Sequence, residues 1–424
     1  FVASDPSALA GQEMEIFFLT NGEVAYLQRG KKPLFFNKKG ISIQKNGNFQ
    51  NLPESAIAKG KFEHFMLKEI FEQPRVIKDS LVDRYDEKNQ TVCFPEITFD
   101  QKIFQEVSNI LIIACGTSWH AAYIGAYVLE QYTNIPTRAE IASEFRYKHT
   151  VIAPKTLVIV MSQSGETADT IAGLREAKRQ KAVTLAFCNV KGSTIDREAD
   201  STLLLRAGPE VAVASTKTFT AQVMLLLLLT LKLARERSVM NEEQGRLFFH
   251  KLYELPEQVA EVLENRDAIQ ALAKKYAKKE DFFFLGRGLL YPTALEAALK
   301  IKEIAYINAT GYPAGEMKHG PIAFLDEEVP VVIFLASGSL HQKIMSNLME
   351  SKARKSPVIA ISWKQFEKDI EKHVDDIIWI PKTDDMLSCI PVTVVTQLFA
   401  YFMAKERNRN IDQPRNLAKS VTVE

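Results

Sequence analysis

The sequence of 424 residues is poor in cysteine, and its four cysteines are scattered. They form neither a CxxC pair nor a cluster with histidine at metal-ligand spacing, and they stand at Cys93, Cys115, Cys188 and Cys389. Most of them lie in or beside apolar, strand-like runs. We therefore expect reduced, buried thiols, which are typical of a cytoplasmic protein, and no metal site.

The sequence also lacks an excess of charge of either sign and a long hydrophobic run. Lysine and arginine number 53 against 52 aspartates and glutamates, and the net charge of +1 excludes bulk attraction to nucleic acid or an anionic membrane. The most apolar stretch, QVMLLLLLTL at 222–231, is shorter than the roughly 20 residues that span a bilayer. It predicts a buried core helix, and we expect neither a nucleic-acid nor a membrane partner.

Several catalytic motifs are absent as well. There is no GxxxxGK[ST], no GxSxG, no HExxH and no EF-hand loop. GRGLLY at 286–291 resembles a dinucleotide fingerprint only in part, because Tyr291 stands where the third glycine should be. The sequence therefore gives no support for a serine hydrolase, a metalloenzyme or an NAD enzyme, and we expect no cofactor.

What the sequence does contain is an internal repeat of strand-turn-helix units. Apolar strands and their following turns recur in the same order at an offset of roughly 170 to 176 residues. Examples are NILIIACGTS (109–118) with FFFLGRG (282–288), and LVIVMSQSGE (157–166) with VVIFLASGSL (331–340). Alternating strands and helices favour a parallel sheet covered on both faces. We predict two tandem, doubly wound, three-layer αβα domains at 97–238 and 268–412, joined by a helical linker at 239–267.

The segments outside the repeat differ from it. Residues 1–52 are β-rich, with a hairpin predicted around Asn21-Gly22 and two further strands around Gly40. This segment is too small to hold a core alone, and the chain opens at Phe1, so we expect a remnant of a larger domain. Residues 53–96 predict a helical connector. The tail, 413–424, has no periodicity and by composition would be a frayed terminus.

The turn SQSGET at 162–167 is the strongest site signal. Hydroxyls, a glycine and the start of a helix together form an anion cradle that suits phosphate on a small molecule. Helix capping explains one or two of these residues but not all of them. Glu166 would repel a phosphate unless its carboxylate points away. The second copy of the repeat keeps Ser337-Gly338 but has no Gln or Thr, so we expect one sugar phosphate per chain.

Two further turns are weaker candidates. Gly116, Thr117 and Ser118 follow another strand and offer donors to a ligand, although turn chemistry explains them equally well. VASTK at 213–217 precedes the apolar helix, and an N-cap is an adequate alternative explanation there. In such sheets, ligands bind beyond the carboxyl ends of the strands, which is where both turns must lie.

The second domain carries ionisable residues in a helix and a loop. Glu296, Lys300 and Glu303 recur at i, i+4 and i+7, a pattern that is usually a solvated ladder of ion pairs. His319 lies in GEMKHGP and is followed by Gly320 and Pro321, which predicts a loop where it is free to act as an acid or base. A lone loop histidine is nevertheless usually a surface residue.

Taken together, CGTS, ASEFRY, SQSGETADT, VASTK, ALKIKE, GEMKHGP and the terminus DQPRNLAKSVTVE resemble the glutamine–fructose-6-phosphate aminotransferase (isomerising) family. The resemblance covers essentially the whole chain. It implies two sugar-isomerase (SIS) domains preceded by the end of a glutaminase domain, an Ntn hydrolase. It also implies conversion of fructose 6-phosphate and glutamine-derived ammonia to glucosamine 6-phosphate, the first step of hexosamine synthesis, by a homodimer.

The resemblance also implies roles for individual residues. Lys419 is similar to the amine that forms a Schiff base with C2, and Glu303 to the base that moves a proton between C1 and C2. His319 is similar to the ring-opening acid or base contributed by the partner subunit, and Lys300 to a group that assists proton transfer. The residues that match the sugar-phosphate site are Ser118, Ser162, Gln163, Ser164, Thr167, Val213, Ser215 and Ala418.

Two expectations and two alternatives remain. We expect the tail to fold over the sugar with Arg415 near Lys419, since a Schiff-base lysine needs desolvation or a cationic neighbour. The nucleophilic N-terminal cysteine of the family has no counterpart here, so this chain is not expected to hydrolyse glutamine. The alternatives are a regulatory SIS protein that senses a sugar phosphate, or a plain aldose–ketose isomerase. Lys419 and Glu303 argue against a sensor, and the glutaminase-like remnant argues against a plain isomerase.

Overall fold

The computed structural model of the chain describes residues 1–2, 13–20, 22–51 and 58–422. The first five strands are β1 (Glu13–Ile16), β2 (Val24–Tyr26), β3 (Leu34–Phe36), β4 (Ser42–Ile43) and β5 (Asn48–Asn51). They form two antiparallel sheets, one of β1 with β5 and one of β2, β3 and β4. The strands predicted on either side of Gly40 are β3 and β4, and Gly40 has a φ of +73°.

The hairpin predicted around Asn21-Gly22 is wrong as a pairing of the flanking strands. Ile16 of β1 pairs with Asn48 of β5, and β2 pairs with β3; Asn21 itself lies outside the described residues. The ring of Phe18 packs so closely on Gly192 of the first repeated domain that a Cβ there would lie 2.7 Å from it. This long-range contact positions the segment between β1 and β2. The Asn-Gly turn signal is local, so it could not predict a contact with Gly192.

The predicted helical connector, 53–96, combines helices with a short ribbon. Its described part contains α1 (Phe65–Phe71), α2 (Gln73–Leu81), β6 (Tyr85–Asp86) and β7 (Thr91–Val92). β6 and β7 pair antiparallel. Buried apolar residues of α1 and α2 join the main core, so the connector packs on the repeated domains.

The first repeated domain is built on a parallel sheet of five strands. Its elements are α3 (Ile103–Glu106), β8 (Asn109–Ala114), α4 (Gly116–Thr133), β9 (Thr137–Ile141), α5 (Ala142–Phe145), β10 (Thr156–Ser162), α6 (Ala168–Arg179), β11 (Val183–Cys188), α7 (Thr194–Glu198), β12 (Ser201–Leu204) and α8 (Lys217–Glu236). The strand order is β9-β8-β10-β11-β12. The order reverses between β8 and β10, so a crevice is expected beyond their carboxyl ends.

The second repeated domain follows two helices and repeats this order as β14-β13-β15-β16-β17, again parallel throughout. The elements are α9 (Glu242–Glu264), α10 (Arg266–Tyr276), β13 (Asp281–Gly286), α11 (Leu290–Ala305), β14 (Asn308–Pro313), β15 (Val331–Leu335), α12 (His341–Lys352), β16 (Val358–Trp363), α13 (Glu367–Ile370), β17 (Asp376–Ile380) and α14 (Cys389–Glu406), with short 3-10 helices at Ala314–His319, Pro321–Phe324, Lys364–Phe366 and Glu371–His373. Matching strands start 171 to 175 residues apart. The predicted fold, two tandem doubly wound αβα domains with parallel sheets, is confirmed.

One apolar core joins the two domains. It contains buried residues of both sheets together with α4, α8, α11 and α14, whereas two smaller clusters cover the outer faces of the sheets. α8 passes the length and composition criteria for a membrane span, but it is buried along this core, as expected for the core helix of a folded domain. α4 packs on α8 and on α11, and Thr117 near the start of α4 lies beside Glu296 and Lys300 in the middle of α11.

All four cysteines are free thiols, as predicted. Cys188 and Cys389 are buried, and burial raises the pKa of each thiol to about 12. Cys93 and Cys115 are half-buried, and burial raises their pKa values as well. None of the four is therefore an activated thiolate at neutral pH.

Candidate active site

The predicted anion cradle is a tightly folded turn between β10 and α6. Ser162 Oγ accepts a hydrogen bond from the backbone N–H of Gly165 at 3.0 Å and lies 3.0 Å from Thr167 Oγ1. Ser164 Oγ accepts from the N–H of Glu166 at 3.2 Å. Gly165 has a φ of +69°, and a Cβ there would lie 2.0 Å from Ser193 Oγ, so this position requires glycine. The hydroxyls are thus fixed at the carboxyl end of β10.

The carboxylate of Glu166 is turned away from this cradle. Its Oε1 accepts a hydrogen bond of 2.7 Å from the backbone N–H of Thr194, at the start of α7. That bond places the negative charge beside a helix N-terminus, where it is favourable. The repulsion that Glu166 would otherwise exert on a bound phosphate is therefore reduced.

Thr117 and Ser118 begin the neighbouring helix α4 at the switch in strand order. Ser118 Oγ accepts a hydrogen bond of 2.8 Å from Gln222 Nε2 of the buried helix α8. Thr117 Oγ1 accepts from Lys300 Nζ at 2.9 Å and donates to Glu296 Oε1 at 3.2 Å. Because Thr117 and Ser118 are consecutive, the first turn of α4 contacts both α8 of the first domain and the charged residues of α11 in the second domain.

The helix trio Glu296, Lys300 and Glu303 is not a solvated ladder. Lys300 Nζ lies 3.3 Å from Glu296 Oε1 and 2.6 Å from Glu303 Oε2. The side chains of Lys300 and Glu296 are 1% and 0% exposed, whereas that of Glu303 is 21% exposed. Glu296 also contacts His120 Nδ1 at 2.7 Å. Glu303 is therefore the member of the trio that keeps access to a ligand.

Charge within this cluster is compensated locally. Although burial opposes the charge of Lys300, the carboxylates of Glu296 and Glu303 raise its pKa above the ordinary value. Lys300 is thus a fixed cation at neutral pH rather than a base. Its position suits stabilising negative charge and orienting Glu303.

The tail is folded onto the first domain, so its composition alone is misleading. Lys419 Nζ donates to Glu210 Oε2 at 2.6 Å and to the carbonyl oxygen of Ala212 at 2.8 Å. Ser420 Oγ lies 3.0 Å from Ser164 Oγ, and the carbonyl of Val421 accepts from the N–H of Ala168 at 3.1 Å. These contacts place Lys419 directly beside the cradle.

Arg415 is not the charged neighbour that we expected for Lys419. The guanidinium of Arg415 lies over the ring of Tyr306 at 4.3 Å, and the backbone N–H of Arg415 donates to the Tyr306 hydroxyl at 2.7 Å. The charged partner of Lys419 is instead the carboxylate of Glu210. Because only a free amine can attack a carbonyl, we expect this pair to separate when substrate binds.

Glu210 is a functional residue that the sequence did not reveal. It is buried, and its Oε1 accepts from the N–H groups of Thr216 and Thr218 at 2.9 and 3.1 Å, at the start of α8. Although burial opposes its charge, Lys419 and these N–H groups lower the pKa of Glu210 to about 2. Burial and the charge of Glu210 raise the pKa of the neighbouring Glu69. Glu210 therefore carries the charge that anchors the tail.

We predict that Glu210→Gln lowers stability at neutral pH but not in acid. The folded-state pKa lies below the ordinary 4.5, so the carboxylate's contribution is fully present above about pH 4.5 and is lost as the pH falls toward 2. The expected loss at pH 7 is about 2 kcal/mol, the range for hydrogen bonds to a charged group. Urea unfolding at pH 7 and at pH 2.5, close to the folded-state pKa, measures it. The exposed Glu254→Gln is the matched control; a difference between Glu210→Gln and wild type that is equal at both pH values would contradict the assignment.

The remaining candidates lie at different distances from this centre. Val213 and Ser215 belong to the half-buried loop that carries Glu210, and the N–H of Val213 donates to the carbonyl of Asp412. Gln163 lies within the cradle turn, Gly116 begins α4, and Ala418 is the exposed neighbour of Lys419. His319 is exposed on its 3-10 helix, and within the described part of the chain it has no hydrogen bond or ion pair to the other candidates.

The other side chains that the sequence did not reveal as part of the site are His120, Gln222, Ser420 and Glu69. These four residues belong to no sequence motif with a regular spacing. Each is part of the site only because it contacts a residue far away in the sequence. Glu296 alone had a signal, its helical spacing with Lys300. The switch in strand order, the hydroxyl-rich turn beside it, a lysine on a docked tail and a carboxylate–lysine pair from the second domain together define the class: a sugar-phosphate enzyme with two SIS domains.

Comparison with known proteins supports that class and narrows it. The SIS domain family model matches residues 103–232 and 275–405. Glutamine–fructose-6-phosphate aminotransferase [isomerizing] of Chlorobaculum tepidum is 43% identical over 424 residues, which are all of this chain and 69% of that protein. The enzyme of the same name from Methanosarcina acetivorans is 42% identical over all of this chain and 68% of its own length. The chain therefore belongs to the glutamine–fructose-6-phosphate aminotransferase (isomerizing) family.

Solved structures agree with this assignment. The C-terminal domain of glucosamine-fructose-6-phosphate aminotransferase from Francisella tularensis superposes with a TM-score of 0.80 at 35% identity, and covers 84% of this chain and 100% of that one. Glucosamine-6-phosphate deaminase from Thermotoga maritima has a TM-score of 0.61 at 22% identity and covers 84% of this chain and 99% of that one. The second likeness concerns the fold alone.

Proposed function

We propose that this chain forms glucosamine 6-phosphate from fructose 6-phosphate and ammonia at the crevice between β8 and β10. The observation that carries the proposal is the contact of Lys419 with Glu210 beside the cradle, because it places a primary amine next to a phosphate-sized anion site. Family membership and the shared switch-point geometry support the same substrate. Glutamine is the proposed ultimate source of the ammonia, as in the names of the relatives.

Each step has a residue suited to it. The turn 162–167 binds the phosphate through hydroxyl and backbone donors. The amine of Lys419 attacks the C2 carbonyl, and water leaves as the Schiff base forms. Ammonia must then replace the lysine nitrogen at C2, because the product retains an amino group on that carbon. This exchange returns the free amine to Lys419.

Glu303 is the proposed base for the isomerisation. Moving the double bond from C2 to C1 requires one proton to leave C1 and another to arrive at C2, and one carboxylate can serve both carbons. The partly exposed carboxylate of Glu303 is held by the fully buried Lys300, which fixes its orientation. The cation of Lys300 stabilises the negative charge that develops on the sugar oxygen during this transfer.

We further propose that His319 acts in the site of a second copy of the chain. Its exposure on the 3-10 helix Ala314–His319 and its lack of contact with the other described candidates support this arrangement. Met317, two residues earlier, is buried and anchors the loop, so His319 is presented on a fixed support. A homodimer would then contain two sites, each completed by the other chain. The free thiols support a reducing, cytoplasmic location.

The direct test is turnover by the 424-residue chain. Incubated with fructose 6-phosphate and an ammonium salt, it should form glucosamine 6-phosphate, measured by mass spectrometry of the sugar phosphates. Without ammonium we expect slow isomerisation to glucose 6-phosphate through the same proton transfer. Tight binding of fructose 6-phosphate with neither product would instead favour a sensor, and glucose 6-phosphate in both reactions would favour a plain isomerase.

A further inference from the structure

The second domain contains a turn built like the phosphate cradle of the first. Ser337 Oγ accepts a hydrogen bond from the N–H of Leu340 at 3.3 Å, as Ser162 Oγ accepts from the N–H of Gly165. Both bonds span three residues, and the strands before them start 175 residues apart. Ser337 and Ser339 therefore correspond to Ser162 and Ser164. Matching Ser337-Gly338 with Ser164-Gly165 by residue identity is therefore wrong by two residues.

This second turn is occupied by a carboxylate of the chain itself. Asp385 Oδ2 accepts from Ser337 Oγ at 3.0 Å, from Ser339 Oγ at 2.6 Å and from the N–H of Ser339 at 3.0 Å. Its Oδ1 accepts from the N–H of Gly338 at 2.8 Å. Two hydroxyls and two backbone N–H groups thus converge on one anion. Although burial opposes the charge, these donors lower the pKa of Asp385.

The two backbone donors lie in the turn and not in the helix. Gly338 and Ser339 precede α12, whose first residue is His341, and both of their N–H groups donate to Asp385. Consecutive N–H groups in such turns are an anion-binding arrangement. His341 stands where the first domain has Glu166, so the second turn contains no acidic residue that would oppose an anion.

The position of Asp385 in the repeat explains how it reaches the turn. α8 and α14 start 172 residues apart, which makes Asp385 the counterpart of Val213. In the first domain this loop leaves the cradle free of a carboxylate, and the tail residue Ser420 contacts Ser164 instead. In the second domain the corresponding loop carries Asp385, whose carboxylate binds the equivalent serines, Ser337 and Ser339.

We propose that the second domain retains a binding site for a phosphate monoester, which the Asp385 carboxylate keeps occupied as an internal substitute for the ligand. The donors that would bind phosphate oxygens already bind the carboxylate of Asp385, which lies in the loop just before α14. An external phosphate cannot compete while that carboxylate is present, because two anions cannot share four donors. This accounts for a chain with two cradles that takes one sugar phosphate, and removal of the carboxylate alone opens the second site.

The experiment measures binding of inorganic phosphate to Asp385→Ala. Equilibrium dialysis with radiolabelled phosphate should give one more phosphate per chain than wild type under the same conditions. Phosphate should also raise the melting temperature of the variant more than that of wild type, since it binds only the folded state. Formation of glucosamine 6-phosphate should persist, because Asp385 lies outside the first domain's site.

Two further variants make the result decisive. Asp385→Asn keeps the size of the side chain and one acceptor oxygen, so it preserves the fold if the alanine variant does not; its melting temperature should also rise with phosphate. Asp369→Ala removes the same charge near the start of α12, where it lies 3.4 Å from His341, and should behave as wild type. A folded Asp385 variant with wild-type phosphate stoichiometry and no added thermal shift would overturn the proposal, whether or not the first site turns over.

Discussion

Lys419→Arg is expected to abolish formation of glucosamine 6-phosphate while leaving the tail folded. A guanidinium keeps the positive charge that pairs with Glu210 but cannot form a Schiff base with a carbonyl. We expect kcat to fall at least about 1000-fold, equivalent to ~4 kcal/mol of barrier. A coupled assay of sugar-phosphate products measures this loss, and the melting temperature should stay close to that of wild type.

Borohydride trapping gives the positive counterpart of this prediction. Wild type incubated with fructose 6-phosphate and borohydride should gain one sugar phosphate, located by peptide mapping at Lys419. Lys419→Arg should gain none, whereas the exposed Lys364→Arg should label as wild type does. Labelling of another lysine in wild type would refute the assignment of the amine, although it would leave the phosphate cradle untouched.

Glu303→Gln is expected to stop the proton transfer without stopping the Schiff base. Loss of a general base typically costs 10²- to 10⁴-fold in rate, so product formation should fall by about 1000-fold. The amide keeps the shape of the side chain and can still contact Lys300. Exchange of the C1 proton of fructose 6-phosphate with deuterated water, followed by NMR, measures the affected step directly.

The two variants together separate the steps of the reaction. Glu303→Gln should still be labelled by borohydride at Lys419, and Lys419→Arg should not. Glu316→Gln, an exposed carboxylate in the GEMKHGP loop, is the control for loss of an acidic side chain in the second domain. Wild-type exchange of the C1 proton in Glu303→Gln would transfer the role of base to another residue, and Glu296 would be the next candidate because of its contact with Lys300.

The geometry also bears on the two alternative functions. A sensor needs the cradle, but it needs neither a lysine paired with a buried carboxylate beside the cradle nor a buried lysine that holds a second carboxylate. A plain isomerase needs Glu303 but no amine at C2. The chain combines both features around one crevice, which matches an enzyme that introduces nitrogen and then isomerises.

Local sequence was sufficient wherever short-range chemistry decides the structure. The apolar run of β10 and the serines and glycine after it predict a strand, a turn and an anion site, because those residues contact one another. The repeat predicted the fold of the second domain, because similar local sequence patterns form similar strand-turn-helix units. The repeat aligned the second turn one residue away from its structural counterpart, and matching the two Ser-Gly pairs places it two residues away. Hydrogen bonding, and not residue identity, defines the correspondence.

The sequence by itself determined that this protein has two parallel αβα domains, a turn suited to binding an anion, and a set of residues that resemble those of an isomerising aminotransferase. Only the tertiary structure decided that the tail is ordered, that Glu210 rather than Arg415 is the charged partner of Lys419, and that Asp385 fills the second cradle. Glu210 and Lys419 are separated by more than 200 residues, so no local pattern joins them. Their pairing depends on burial and on the donors that neighbouring elements supply, and these exist only once the chain has folded.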